Sequence, residues 1–416
     1  MRKIKYILII LFFFSSLVPA QIIRTNSFIE HNIIASASGY KCYVSIRIPY
    51  NSLVFIKNSS GYSSGFEFST EVSSSSTSII RKSVHKDISV ETFEETNLTN
   101  KYLQAFLEFE LIEDDYLIQP YLTLKNNNIT VPFEPINERI KTRKNGFVLS
   151  PIIYEEIKSD TCGNSKKLLV NYGNSIPFSS SSYSIIIPIR DTSILKVKIK
   201  IAQAEKTILE NDYFVKKGKI VFKDCDSNIK IILSKEDSTN RYISLGNFTN
   251  LLQEGTARFS FNAGKDLKRD YDIDIAWVTK PRSLSDAEFA IKMLKIIEPK
   301  EKVDSLLSSS SSEYKKVLYE YWSKYNKGAK TLYNYLMAEF YNRVDEAIRR
   351  FSSLSKISGA ESDRGKIFVR FGNPDSIERV YNGQNSVLEI WKYIELEQEY
   401  IFKDDSGLGN YYLIKK

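Results

Sequence analysis

Histidine and cysteine are almost missing from this chain: His31 and His85, with Cys42, Cys162 and Cys225, are all that 416 residues provide. Histidine is the commonest general base and transition-metal ligand, and cysteine the commonest soft ligand, so much catalytic chemistry is disfavoured at the outset. A Ser-His-Asp or Cys-His apparatus has only two imidazoles to draw on. His31 is expected in a flexible N-terminal end and His85 on an exposed strand. No CxxC, HExxH or Walker sequence occurs, which removes the usual ligands of zinc and nucleotide phosphates. Adjacent acids exist at Glu94-Glu95, Asp114-Asp115 and Asp404-Asp405, but neighbours on a strand point to opposite faces and seldom share a substrate. Asp404, Asp405 and Asn410 are too few and too close for a recognisable calcium loop. No cofactor, metal site or catalytic residue is expected. An odd number of cysteines leaves at least one thiol free or paired between chains. Cys162 and Cys225 fall in one expected domain and form a possible disulfide; three buried free thiols is the other reading.

Long apolar runs are also scarce, and the single prominent one is at the start. Residues 1–20 combine Arg2, Lys3 and Lys5, an apolar run from Tyr6 to Phe14, and the small-residue ending Val18-Pro19-Ala20. This pattern predicts a Sec-type signal peptide cleaved after Ala20, with export to the periplasm or beyond. No transmembrane segment is expected after its removal. The leader holds three of the 58 basic residues and none of the 50 acidic ones, so the net charge falls from +8 to +5. The remaining lysines and arginines are interspersed with acids, apart from Lys141, Arg143 and Lys144. Without a basic stripe, nucleic-acid binding is not expected.

Aromatic residues, by contrast, are abundant: 26 tyrosines and 24 phenylalanines, many at alternating positions. From Tyr40 to Lys125, short alternating runs separated by Asn, Ser and Gly predict an antiparallel β-sandwich over 21–135. A Pro- and charge-containing break at 132–146 predicts an interdomain connection. A second sandwich is expected over 146–280, including a hairpin over Asn211–Asp224 that turns at Lys217-Gly218. Both are of the immunoglobulin or fibronectin III kind, without residue-level repetition. The serine tracts at 73–76, 179–182 and 308–312 are expected as loop tips.

Beyond Pro281 the apolar period changes from two to about 3.6. Ser285 and Glu288 predict a capping box, and stripes through Tyr314–Tyr325 and Leu336–Phe351 predict two further helices. Strands are expected at Gly365–Gly372, Val387–Tyr393, Gln398–Asp404 and Asn410–Lys416. The fold class is therefore multidomain and mainly β, then α+β. A domain over 281–416 would pack helices (285–351) on a small antiparallel sheet (365–416).

The stretches SGAESDRGKIFVRFGNPDSIE, LEIWKY and YIFKDDSGLGNYYLI resemble the C-terminal signature of the GWxTD-domain family, exported bacterial proteins of unknown biochemical function. Gly359, Asp363, Arg364, Gly365, Arg370, Gly372, Pro374, Asp375, Glu389, Ile390, Trp391, Tyr393, Phe402, Asp404, Gly407, Gly409 and Leu413 fit its pattern, with Tyr411 or Tyr412. Arg343 fits the helix before the motif. The resemblance spans most of the mature chain and is strongest from Trp277 onward. Two positions depart: Ala360 stands where the motif has Trp, and Ser362 where it has Thr. Opposite charges at strand ends and turns suit a structural latch that fixes register. Taken together, these features predict an exported, non-enzymatic envelope protein, a binding or scaffold module with a protein or glycan partner. The alternative is a carboxylate-dependent hydrolase of envelope polysaccharide, which would gather two carboxylates about 5 to 10 Å apart in an aromatic pocket.

Overall fold

The computed structural model describes residues 27–36, 38–76, 78–140, 147–157, 165–234, 240–326, 331–353, 358–382 and 386–415. The expected leader, the basic residues at 141–144 and Cys162 lie outside them. The chain forms two compact units, residues 1–276 and 277–416.

In the first unit, a three-stranded sheet has Gly39–Pro49 between Phe28–Ser36 and Tyr102–Leu111. It faces a six-stranded sheet built on Gly61–Ser74, which pairs with Ile80–Val90 on one side and Asp114–Leu124 on the other. Alternation explains the pairing: Cys42, Val44, Ile46 and Ile48 point inward and meet Phe66, Phe68, Leu107 and Phe109 in one core. Residues 147–276 form a seven-stranded and a five-stranded sheet around a second core that includes Ile185, Ile187, Ile199, Ile201, Phe259 and Phe261.

A third cluster joins these halves. Ile34 and Tyr43 of the three-stranded sheet pack with Ile152, Tyr154, Ile186, Phe222 and Ile231 of the seven-stranded sheet. Tyr43 stacks on Phe222 at 4.3 Å between ring centroids. The sheets therefore follow one another as six, three, seven and five strands within one compact unit.

Several sequence expectations change here. His31 lies in the first strand, its Nε2 2.8 Å from Glu138 Oε2, because its strand continues the three-stranded sheet. His85 is exposed in the strand Ile80–Val90. Residues 211–224 form no hairpin: Lys206–Phe214 pairs with Lys196–Gln203 in the five-stranded sheet, whereas Lys219–Cys225 pairs with Asn228–Ser234 in the seven-stranded one. The chain changes sheets between Phe214 and Lys216, since Lys216–Lys217 already pairs with Arg241 and Tyr242 in the seven-stranded sheet, and the following Gly218 approaches Ser234 O too closely for a side chain. Cys42 is a buried free thiol and Cys225 is disulfide-bonded.

The second unit has helices α1 (Ala287–Met293), α2 (Lys300–Leu307), α3 (Tyr314–Ser323), α4 (Tyr335–Phe351) and α5 (Asp363–Phe371). An antiparallel sheet β1 (Ser376–Asn382), β2 (Ser386–Tyr393), β3 (Gln398–Asp404) and β4 (Tyr412–Lys415) completes it, in that spatial order. Asp286, one residue after the expected cap, accepts from Phe289 N at 3.0 Å and starts α1. Asn334 does the same for α4 through Met337 N at 2.9 Å. Met337, Phe340, Tyr341, Val344, Ala347 and Phe351 then recur at helical spacing on its buried face. The segment GKIFVRFG, expected as a strand, is most of α5. Its β-branched and aromatic composition reads as a strand, but Ser362 Oγ accepts from Gly365 N at 3.1 Å and supplies the cap that decides otherwise. Among the described residues no helix is long and apolar enough to cross a membrane.

Candidate functional site

Strand β2 alternates Val387, Glu389, Trp391 and Tyr393 toward the helices, and this alternation buries a carboxylate. Glu389 is only 1% exposed. A buried charge requires compensating charge and hydrogen bonds. Trp391 Nε1 donates to Glu389 Oε1 at 2.7 Å, and Arg364 Nη1, brought by α5, lies 3.4 Å from the same oxygen. Arg379 stands directly opposite in the β1–β2 register and donates from Nε to Oε2 at 2.9 Å. The hydrogen bond and then the charge of Glu389 raise the affinity of Arg379 for its proton.

The Arg364 guanidinium lies 3.8 Å from the centroid of the Tyr411 ring and 5.1 Å from that of Phe351. Its Nη2 reaches Gly409 O at 3.4 Å. Burial, followed by the Glu389 charge, raises the pKa of Tyr411, so this ring is a neutral platform. Asp404, also 1% exposed, ties the turn that brings Tyr411 back. Its Oδ1 accepts from Ser406 N, Ser406 Oγ and Gly407 N, and its Oδ2 from Gly409 N at 2.6 Å. Burial opposes ionisation of Asp404, but these donors outweigh it and hold the carboxyl below its ordinary range. Gly407 (φ 69°) and Gly409 (φ 88°) supply the left-handed residues the turn requires. Asp363 Oδ2, at the start of α5, accepts from Leu413 N at 3.0 Å and fixes β4.

A second knot gathers the other motif residues. Arg343 donates from Nη1 to Arg370 O at 3.2 Å and pairs with Glu339 at 2.7 Å, while Arg370 Nε donates to Ile296 O at 2.5 Å. Tyr393 OH donates to Gly372 O at 2.9 Å, where φ of 82° ends α5. After Pro374, Asp375 accepts from Ile394 N at 2.6 Å through its side chain and donates its own N–H to Lys392 O at 2.9 Å. Gly359 sits under α4, where an added Cβ would lie 2.4 Å from Ala347 O. Ala360, beside it, is fully buried.

Residues 261–414 match the family model of the GWxTD domain. The chain carries a GWxTD domain. No curated protein matches the chain. The match begins near the end of the first unit and covers nearly all of the second. In this GWxTD domain the two positions that depart from the motif have different fates. Ala360 fills a closed position without a ring, and Ser362 retains the hydroxyl that caps α5. Arg364, Glu389 and Trp391 form one knot with Tyr411 stacked on Arg364, while Asp404, Gly407 and Gly409 shape the turn before Tyr411 and Asp363 fixes β4 after it. Arg343, Arg370, Gly372, Pro374, Asp375 and Tyr393 form the second knot.

Arg379 and the stacking role of Tyr411 escaped the sequence reading. A signal for Arg379 was present: it and Glu389 are equidistant in sequence from Gln384, and a symmetric hairpin places such residues opposite. The first unit holds another buried acid without such a signal. Glu30 accepts from Asn32 Nδ2 at 3.0 Å and from Asn174 N at 3.4 Å, and burial pushes its carboxyl up to about 7 against the lowering effect of those bonds.

Two clefts lie in the first unit. One, of about 410 Å³, is lined by Tyr40, Glu113 and Arg190, and these last two form an ion pair. The other, of about 580 Å³, includes Asp115, paired with Arg139, and Glu138, paired with His31. Strand register turns Asp115 and Glu138 to opposite faces of their sheet, so they do not confront one substrate. Among the described residues no group of three His, Cys, Asp or Glu side chains could hold a metal ion.

Proposed function

We propose that this is an exported envelope protein that acts as a binding or assembly scaffold, not as a catalyst. The observation that carries the reading is the use made of the motif residues: Asp363, Arg364, Glu389, Trp391 and Asp404 each spend their polar atoms on internal partners. A general acid or nucleophile needs an atom that faces substrate. The leader-like first twenty residues support export, and the partner class is a protein or glycan of the envelope.

The test is reciprocal isolation of the full chain from cross-linked cell envelopes, run beside incubation of the purified chain with envelope polysaccharide. A stoichiometric envelope partner, with no new reducing ends in the polysaccharide, is the expected result. Release of reducing ends that disappears on Glu138→Gln or Asp115→Asn substitution would instead establish the hydrolase. N-terminal sequencing of the exported chain should begin at Gln21; retention of residues 1–20 would refute cleavage after Ala20.

A further inference from the structure

The three-stranded sheet of the first unit is polar on part of the face it turns to the seven-stranded sheet. Register aligns Glu30 with Ser45 and Phe28 with Arg47, and Arg47 in turn with Gln104. Glu30, Asn32, Ser45, Gln104 and Asn171 are all buried there. Bonds from this face cross to the other sandwich. Asn171 Nδ2 donates to Ser45 Oγ at 3.0 Å, Arg47 Nη2 to Tyr172 OH at 2.9 Å, and Gln104 N to Ser227 O at 3.1 Å. Asn174, in the left-handed conformation at φ 62°, points its N–H at Glu30 Oε2.

One half of the Asn32 amide is used and the other is not. Its Nδ2 donates to Glu30 Oε1, but its Oδ1 is buried and meets no donor. A buried acceptor in that position is costly. An ionised Glu30 has only acceptors to offer, whereas the neutral acid has one O–H. Acid and amide can then close a ring of two hydrogen bonds, N–H to the acid carbonyl and O–H to Asn32 Oδ1. The hydroxyl oxygen still accepts from Asn174 N.

We propose that Glu30 is a proton-operated clasp on the face between the two sandwiches: as the neutral acid it closes the ring with Asn32, and as the carboxylate it opens that ring and leaves Asn32 Oδ1 without a donor, while accepting from Asn174 N in both states. Among the titratable neighbours, Tyr43 on the same face and Tyr183, within electrostatic reach of Arg47, are both kept neutral by burial. Arg47 lies between the rings of Tyr102 and Tyr172, its Cζ 3.8 and 4.1 Å from their centroids. His31 faces the other side of the strand and pairs with Glu138. Lys41 and Glu108, farther along the face, pair with each other. The facing turn contributes Tyr172, which burial keeps neutral. Because burial raises the Glu30 carboxyl to about 7, its contribution is full below the unfolded value near 4.5 and is lost as pH rises through about 7.

Thermal unfolding of the full mature chain between about pH 5.5 and about pH 8.5 tests the clasp. The first transition of the wild type should fall by on the order of 5 °C across that range. Glu30→Gln, neutral throughout, should lack this fall; equal slopes in both chains would overturn the proposal. Infrared difference spectra of wild type against Glu30→Gln at about pH 6 should show one protonated-carboxyl band, and its absence would equally overturn it. If Glu30→Gln does not fold, Asn32→Ala removes the acceptor. The carboxyl band should then vanish at lower pH than in the wild type, and an unchanged midpoint would count against the clasp.

Discussion

Glu389 ties α5 and β1 to β2 in the GWxTD domain, and its partners differ in burial. The Arg364 side chain is 11% exposed and that of Arg379 57%. Removing a partner from a buried pair costs about 3 to 5 kcal/mol, whereas exposed pairs contribute about 1 kcal/mol or less. Glu389→Ala should therefore lower stability in denaturant unfolding by about 3 kcal/mol or more, and Arg379→Ala by about 1 kcal/mol. Asp404 adds a pH dependence of the opposite sense to Glu30. Its depressed pKa means that its contribution is present above the unfolded value and is lost as pH falls through the folded one. Asp404→Asn should lower stability near neutral pH and make the acid limb of a pH–stability curve shallower; an unchanged acid limb would show that the turn does not depend on this carboxylate. Ala360→Trp, which restores the motif residue in a closed position, should cost about 1 to 3 kcal/mol through overpacking unless the neighbourhood repacks.

At the scale of elements, α5 is held at both ends by devices that can be removed singly. Ser362→Ala should cost about 1 kcal/mol, the usual value of an N-cap, in equilibrium unfolding. A loss near zero would mean that packing alone holds the helix. This helix also shows where sequence reading reaches its limit. The α3 and α4 stripes were legible as core, because 3.6-residue spacing is a local property. The strand expected at Gly365–Gly372 failed because β-branched and aromatic side chains outweighed one serine in the reading, although not in the fold. The expected hairpin at Asn211–Asp224 failed for a longer-range reason. Its two arms have suitable alternation and a glycine between them, yet each is claimed by a different sheet. The Glu30 cluster was illegible altogether, since Ser45 and Asn171 are 126 positions apart.

For the molecule as a whole, the sequence conveyed two β-sandwiches followed by an α+β region, but not that the sandwiches share a third core. A chain ending near residue 140 would leave Ile34, Tyr43 and the polar Glu30 row without their cover. It should bind a hydrophobic dye and aggregate where the full chain does not, and a monomeric, dye-silent fragment would show that the first sandwich is self-sufficient. The same layering bears on how the protein reaches its native state. Burial of one face of the three-stranded sheet waits for partners synthesised more than a hundred residues later, and such distant closures slow folding and prolong the exposure of sticky intermediates. Until residues beyond 150 are available, one face of the three-stranded sheet lacks its cover, so a chaperone that captures the growing chain would protect that sheet first.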